Sequence, residues 1–524
     1  MKVLLITGLL AEDMVTHYAQ KSNVKTKVLA LKVPVAALLT PKYIAKETEK
    51  LNLRDFDMIL VPGLIRGDTS TIEDTTGIPT FKGPRYAADL PTVLEILGQV
   101  KLSKVTPACD LLKDELQRKA LKEIYLVEKN RDVLLKNPGN MLIRELALGR
   151  DFPMRVMAEI IDAPLLSNDE IQAKAQRYVK LGANIIDVGM VAGESRPSDA
   201  KRAVKAIKKV VNTPVSIDTL DPDEAREAVS AGADIILSVD AGNVEDMATF
   251  ASEVTVVVIP TNHNKGYFPK KAEERVSLLE ENIGRARKLG ITKIIGDLIL
   301  DPVNMPGVVE SLVAFREFAK RNPDVPLLFG TGNVTELMDA DSVGTNALLA
   351  GIASEIGVSI LLSTEKGNKT KGSIKELAIA SKMMFLAKKR DSVPKDLGLD
   401  LLILKDKRIR EEPYNRKIET ETQIITAAEK RKPLLFDPKG CFKIILDRAN
   451  EDIAALSFST SKRDKPTVII KGKSAENIYR KIVEMGLVTR LDHAAYLGSE
   501  LTKAEIALKT GKEYIQDSSL FKFS

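Results

Sequence analysis

Ser216-Ile217-Asp218-Thr219 is the stretch that decides how this chain reads: a short apolar run that ends in a carboxylate and a hydroxyl. Upstream, Gly182-Ala183-Asn184-Ile185-Ile186-Asp187-Val188-Gly189 has the same form, and Ala231-Gly232-Ala233-Asp234-Ile235-Ile236 follows downstream. Runs of this kind recur roughly every 25 to 30 residues with helical spacing between them, the pattern of strands alternating with helices. Working outward, strand candidates fall at 155–161, 184–188, 215–218, 234–239, 254–259, 293–300, 326–329 and 358–362. Eight parallel strands close a barrel whose chemistry gathers at the strand C-termini. The expected fold is α/β, with a central TIM (β/α)8 barrel over residues 150–390.

The flanks have a different texture. Residues 1–145 read as an N-terminal Rossmann-like α/β domain, with strands at 3–6, 27–31 and 57–61. Gly8 and Pro62-Gly63 mark turns after the first and third of these. The turn after the first strand lacks a GxGxxG pattern and no GxxxxGK[ST] run occurs, so nothing points to a nucleotide there. The glycine-bearing stretches 64–70 and 82–86 read as solvated loops or as loops facing a ligand. Residues 113–135 read as a helical connector. Residues 391–524 read as a small C-terminal α+β domain, entered through the charged stretch 405–412, with strands at 442–446, 453–458 and 467–470 and helices at 474–485 and 498–509.

Bulk properties exclude several classes. With 44% hydrophobic and 29% charged residues the chain can build ordinary cores. It holds no apolar run of about 18 residues, so no membrane span is expected. The apolar start, Met1 to Gly8, reads as a first buried strand and not as a targeting segment, because Glu12 and Asp13 follow it without a small-residue cleavage pattern. A net charge of +6 over 524 residues, no Trp, 10 Tyr and 14 Phe argue against a nucleic-acid surface. Cys109 and Cys441 lie far apart and offer neither metal spacing nor a disulfide framework, which fits a reducing cytoplasm. No metal ligand set is expected.

The candidate chemistry lies in the acids. Asp187, Asp218, Asp240 and Asp301 stand at or just beyond strand ends, as do Glu159 and Asp162 at the first strand. Each alone reads better as a helix cap. Together, at one barrel mouth, they suit an aminopyrimidine ring, whose adjacent N–H donors a carboxylate accepts in pairs. His17, His263 and His493 are widely separated. Of these, His263, in the polar loop after the fifth strand, is the candidate for the mouth.

The stretches 182–197, 214–219 and 231–236, with Leu300-Asp301-Pro302, resemble the pterin-binding barrels: the dihydropteroate synthases and the pterin-dependent corrinoid methyltransferases. Over its full length, including the tail Arg490-Leu491-Asp492-His493-Ala494-Ala495-Tyr496-Leu497-Gly498, the chain is similar to archaeal dihydropteroate synthase-like proteins, whose one-carbon carrier is tetrahydromethanopterin. The resemblance implies that Asp218 and Asp301 hold the pterin ring. It implies Ser238 or Asp240 where the family has an Asn, and Glu159 and Asp162 at the methyltransferases' first-strand positions.

Val334 stands where a synthase has a lysine, and Asn333 matches the methyltransferase asparagine that hydrogen-bonds the methyl-bearing ring nitrogen. Asn333 and Asp301 are therefore the candidate catalytic pair. The implied function is pterin-dependent methyl transfer in tetrahydromethanopterin metabolism, with tetrahydromethanopterin or a related reduced pterin as cofactor and a corrinoid or methyl-acceptor protein as partner. The alternatives are condensation of a pterin pyrophosphate with an arylamine, and a non-catalytic pterin carrier. Pairing into a homodimer accompanies the resemblance.

Overall fold

The computed structural model describes residues 1–95, 97–98, 100–395, 397–406, 416–427, 436–460 and 464–521. They form two compact units, one of residues 1–364 and 373–413, the other of residues 365–372 and 414–524. From Lys407 onward the charged stretch 405–412 lies outside the described residues.

The first unit opens with a parallel sheet of β1 (Lys2–Gly8), β2 (Lys25–Leu31), β3 (Met58–Val61) and β4 (Thr80–Lys82), in the order β2-β1-β3-β4. Both faces of β1 are covered. Leu4 and Ile6 enter one apolar cluster while Val3 and Leu5 enter another, which is why this strand is a continuous apolar run. β4 is three residues long, too short for an alternation signal. It also moves Lys82 out of the loop expected for it: the side chain is buried and donates to the Ile65 carbonyl at 2.8 Å.

The connector is a helix, Ala108–Lys129. Its Glu128 accepts two hydrogen bonds from Arg155, at 2.7 and 3.0 Å, tying it to the first barrel strand. A hairpin of β5 (Met141–Ile143) and β6 (Leu146–Leu148) follows.

The barrel strands are β7 (Arg155–Ile160), β8 (Ile185–Gly189), β9 (Val215–Asp218), β10 (Ile235–Val239), β11 (Thr255–Val258), β12 (Ile294–Gly296), β13 (Leu328–Gly330) and β14 (Ile360–Thr364). All pairings between them are parallel, and a parallel bridge from Gly296 to Leu327 closes the ring. The expected eight strands are present. The sixth is shorter than expected, ending at Gly296 and not at Leu300.

Met157, Ile185, Ile235, Val257, Ile295, Leu328 and Ile360 fill the lower interior together with Ile143 and Leu148 of the hairpin. The hairpin thus plugs one end and leaves the strand C-termini as the mouth. Outward residues such as Val156, Ile186, Ile217 and Ile236 pack on the surrounding helices. Local signals set the helix limits. Ser167 and Glu170 form a capping box ahead of Asn168–Leu181, and Gly182 ends that helix at φ 109°. Asp221 caps Pro222–Ser230, a contribution of about 1 kcal/mol.

The second unit carries an antiparallel sheet, β15 (Cys441–Asp447), β16 (Asp452–Phe458) and β17 (Val468–Gly472). Helices Ala475–Glu484 and Leu491–Thr510 bury Ile478, Ile482, Leu497 and Leu501 against it. His493 lies in this interior beside Phe442 and Tyr496. No described helix is long and apolar enough to cross a membrane.

Candidate functional site

Strand parity builds the site. Side chains two residues apart share a face. Met157, Ile185 and Ile295 point into the barrel, so Glu159, Asp187 and Asp297 do as well. Ser216 joins the interior through its hydroxyl, which donates to Asp187 Oδ1 at 2.5 Å, and Asp218 is two residues beyond it. One oxygen each from Glu159, Asp187 and Asp218 lies within 4.8 Å of the others, the one such group among the described residues. That spacing could also hold a hard cation, since all the donors are oxygens.

The acids are electrostatically uncomfortable. Asp187 is fully buried, and its Oδ2 has no hydrogen-bond partner. Burial pushes its carboxyl well above the usual range, and the charges of Asp218 and Glu159 push it further, against the hydrogen bond from Ser216. Burial also raises Asp218, against a 2.6 Å hydrogen bond from the Ser238 hydroxyl. Ser238 reaches that position because it adopts φ 64°, at a register irregularity between β10 and β11. Asp297 is pushed up to about 7, chiefly by burial and also by the charge of Asp218. The N–H of Ile299, at 2.8 Å, and the more distant Arg275 oppose the shift. No ion pair reaches Asp187, Asp218 or Asp297 from a lysine or arginine among the described residues. A ligand that brings several N–H donors would relieve these acids, and a cation would relieve Glu159, Asp187 and Asp218.

Three sequence-based assignments need correction. Asp301 does not stand at the end of the sixth strand. Arg275 donates to its Oδ2, Ser311 Oγ donates to the same oxygen at 3.0 Å, and the Asp301 N–H donates to Ser311 Oγ at 3.0 Å. Arg275 also binds the carbonyls of Pro269, Leu298 and Ile299, so the pair braces the loop after β12. Asp297 is the acid that parity sends inward; counting by two from Ile295 would have found it. Asp240 is saturated. It accepts from Gly242 N–H, Thr261 Oγ1 and His263 N–H, each at 2.7 Å, and from His263 Nδ1 at 2.8 Å. It therefore organises two rim loops and does not offer free oxygens.

Asp162 starts a short helical turn, Ala163–Leu165, in left-handed backbone at φ 50°, and does not join the grouped acids. Asn333 is exposed at the start of the turn Gly332–Thr335 and donates to the Leu300 carbonyl at 2.9 Å, linking the loops after β12 and β13. Val334 is buried in the core. His263 sits on the rim after β11, whereas His493 belongs to the other unit's core.

Family profiles agree with this frame. The profile of a family described as pterin binding enzyme matches residues 161–360. One described as PterinBD-DUF4346 matches residues 436–517, and a family of unknown function, DUF6513, matches residues 1–85. Among solved structures, dihydropteroate synthase from Stenotrophomonas maltophilia is 20% identical and covers 49% of this chain and 100% of its own, with a TM-score of 0.40. The 7,8-dihydropteroate synthase from Vibrio fischeri is 22% identical over 48% of this chain and 99% of its own, at a TM-score of 0.39.

Fold and site together define a pterin-binding barrel. An uncharacterized protein of Methanocaldococcus jannaschii is 45% identical over 536 residues, covering 99% of both chains, and this chain belongs with it to the archaeal dihydropteroate synthase-like proteins. A Ycf91-like protein of Nostoc sp. is 48% identical over 54 residues, 10% of this chain and 42% of its own.

Proposed function

We propose that the barrel mouth binds a reduced pterin of the tetrahydromethanopterin class and that the protein is a transferase moving a methyl group from it. One observation carries the reading: Glu159, Asp187, Asp218 and Asp297 are carboxyls on one inward face, and Asp187 Oδ2 is buried without a partner. The aminopyrimidine edge of a pterin supplies adjacent N–H donors that convert such repulsion into charge-assisted hydrogen bonds. Asp218 and Asp297 are the acids that would hold that edge.

Methyl transfer is favoured over pyrophosphate displacement by the loop after β13. Val334, in the position of the synthase lysine, is buried and apolar, so it brings no cation to a departing pyrophosphate. Transfer from a ring nitrogen needs a hydrogen-bond or proton donor at that nitrogen and otherwise positioning. Asn333 is the rim residue proposed for that contact. Its amide would have to leave the Leu300 carbonyl or use its oxygen. A corrinoid or methyl-acceptor protein is the proposed partner.

Calorimetry tests the reading. Tetrahydromethanopterin should bind more tightly than 6-hydroxymethyl-7,8-dihydropterin pyrophosphate. Binding confined to the pyrophosphate would favour the condensation reaction instead. Tight pterin binding with no turnover for any acceptor would favour the carrier.

A further inference from the structure

The acid cluster does not account for His263. This residue lies on the loop after β11, and its imidazole Nδ1 meets Asp240 Oδ1 at 2.8 Å while its own N–H donates to Asp240 Oδ2 at 2.7 Å. Asp240 is fully buried and also holds Thr261 Oγ1 and Gly242 N–H, so its position is fixed from four directions. An ionised carboxylate at Nδ1 places the ring proton there and leaves the lone pair on Nε2. Nε2 makes no hydrogen bond among the described residues, and the side chain remains 23% exposed. The loop has been shaped around the ring: a Cβ added at Gly242 would lie 2.7 Å from His263 Nδ1.

This histidine is wired to the pterin acids. Asp240 N–H donates to Asn243 Oδ1 at 2.9 Å, and Asn243 Nδ2 donates to the Ser238 carbonyl at 3.2 Å. The Ser238 hydroxyl donates to Asp218 at 2.6 Å. Asp218 and His263 thus sit at the two ends of one hydrogen-bonded rim segment. Nε2 keeps a lone pair for an incoming reactant at the rim.

The geometry points to His263, oriented by Asp240, as the base that takes the proton from a thiol or amine group of the methyl acceptor; a cobalt(I) corrinoid, which has no proton to give, would not call on it. The inference rests on the pterin reading above. In the step, the nucleophile's S–H or N–H proton passes to Nε2 as its sulfur or nitrogen forms a bond to the transferred carbon. The bond from that carbon to the ring nitrogen, which has taken up a proton from solvent, breaks, and its electron pair stays on that nitrogen, leaving a neutral N–H. The imidazolium formed is stabilised by Asp240.

The full chain holds three histidines, His17, His263 and His493, so selective ¹⁵N-histidine labelling gives three resolvable imidazoles. Binding of tetrahydromethanopterin is followed separately by its own fluorescence. In the free protein His263 should be the Nδ1–H tautomer. With the pterin bound, 4-aminobenzoate or 2-mercaptoethanesulfonate should shift the His263 Nε2 resonance and leave those of His17 and His493 in place. Bound pterin with an unmoved Nε2 resonance, or a proton found on Nε2 in the neutral free protein, would overturn this inference alone. Failure of the pterin to bind would overturn the preceding reading and this one with it.

Discussion

Asp187 lies directly beside Glu159 in the parallel pairing of β8 with β7, so two carboxyl groups share one corner of the barrel interior. Gly189, two residues beyond Asp187, leaves the room that Glu159 occupies. A Cβ there would lie 2.4 Å from Glu159 Oε1, the far end of a flexible side chain. Gly189→Ala should therefore swing Glu159 aside without breaking the strand. We expect pterin affinity to fall by about tenfold, the scale of one hydrogen bond, while the thermal midpoint moves by only a few degrees. Calorimetry and thermal melts check both halves.

Asp297 should make stability depend on pH in an unusual direction. Its folded-state carboxyl titrates near about 7 against an ordinary 3.8. Between those values the unfolded chain has released the proton and the folded chain still holds it, so this group's contribution to stability falls as pH rises. Asp297→Asn removes the effect. The variant should be more stable than the parent at pH 8, the gap should close toward pH 4, and pterin binding should weaken at neutral pH. Urea melts across that range read the difference; a gap that widens toward low pH would show that Asp297 is not held protonated by burial.

Asp301 and Asp297 should behave oppositely. Asp301→Ala leaves Arg275, 4% exposed, as a buried cation without its carboxylate. Loss of one partner of a buried pair costs about 3–5 kcal/mol. The expected result is a large drop in the urea midpoint, whereas Asp297→Asn chiefly loses ligand.

These two acids also mark the limit of what the sequence told. The apolar runs located all eight barrel strands to within a few residues, because a strand buried on both faces leaves a dense Val/Ile/Leu signature. The sixth strand misled. Gly-Asp-Leu-Ile-Leu-Asp after Ile295 continues the apolar run past the point where hydrogen bonding stops, so the acid at its far end looked like the strand terminus. The ion pair that claims Asp301 joins residues 26 positions apart, and the rim contacts that claim Asp240 join residues up to 23 apart. No local pattern encodes such pairings. Nor did composition show the left-handed Ser238 that brings a hydroxyl to Asp218.

In the second unit, Asp437 is the residue whose loss should matter most. It accepts from Lys439 N–H, Thr489 N–H and Arg490 N–H, each at 2.9 Å, and from Thr489 Oγ1 at 2.8 Å. Burial alone would raise its carboxyl, but these hydrogen bonds outweigh it and hold the group far below its ordinary 3.8. Its stabilisation is therefore present above that value and fades as pH drops below it. Asp437→Ala should leave several buried donors unpaired, at about 1–3 kcal/mol each before relaxation. Hydrogen exchange should show lost protection in helix Leu491–Thr510 while the barrel amides keep theirs.

The most direct measurement is a crystal structure of the protein with a reduced pterin bound. The ring should lie inside the barrel mouth, its N–H edge within hydrogen-bond distance of Asp218 and Asp297, with Asp301 still paired with Arg275. A pterin bound away from Glu159, Asp187, Asp218 and Asp297, with those carboxyls unchanged, would contradict this placement.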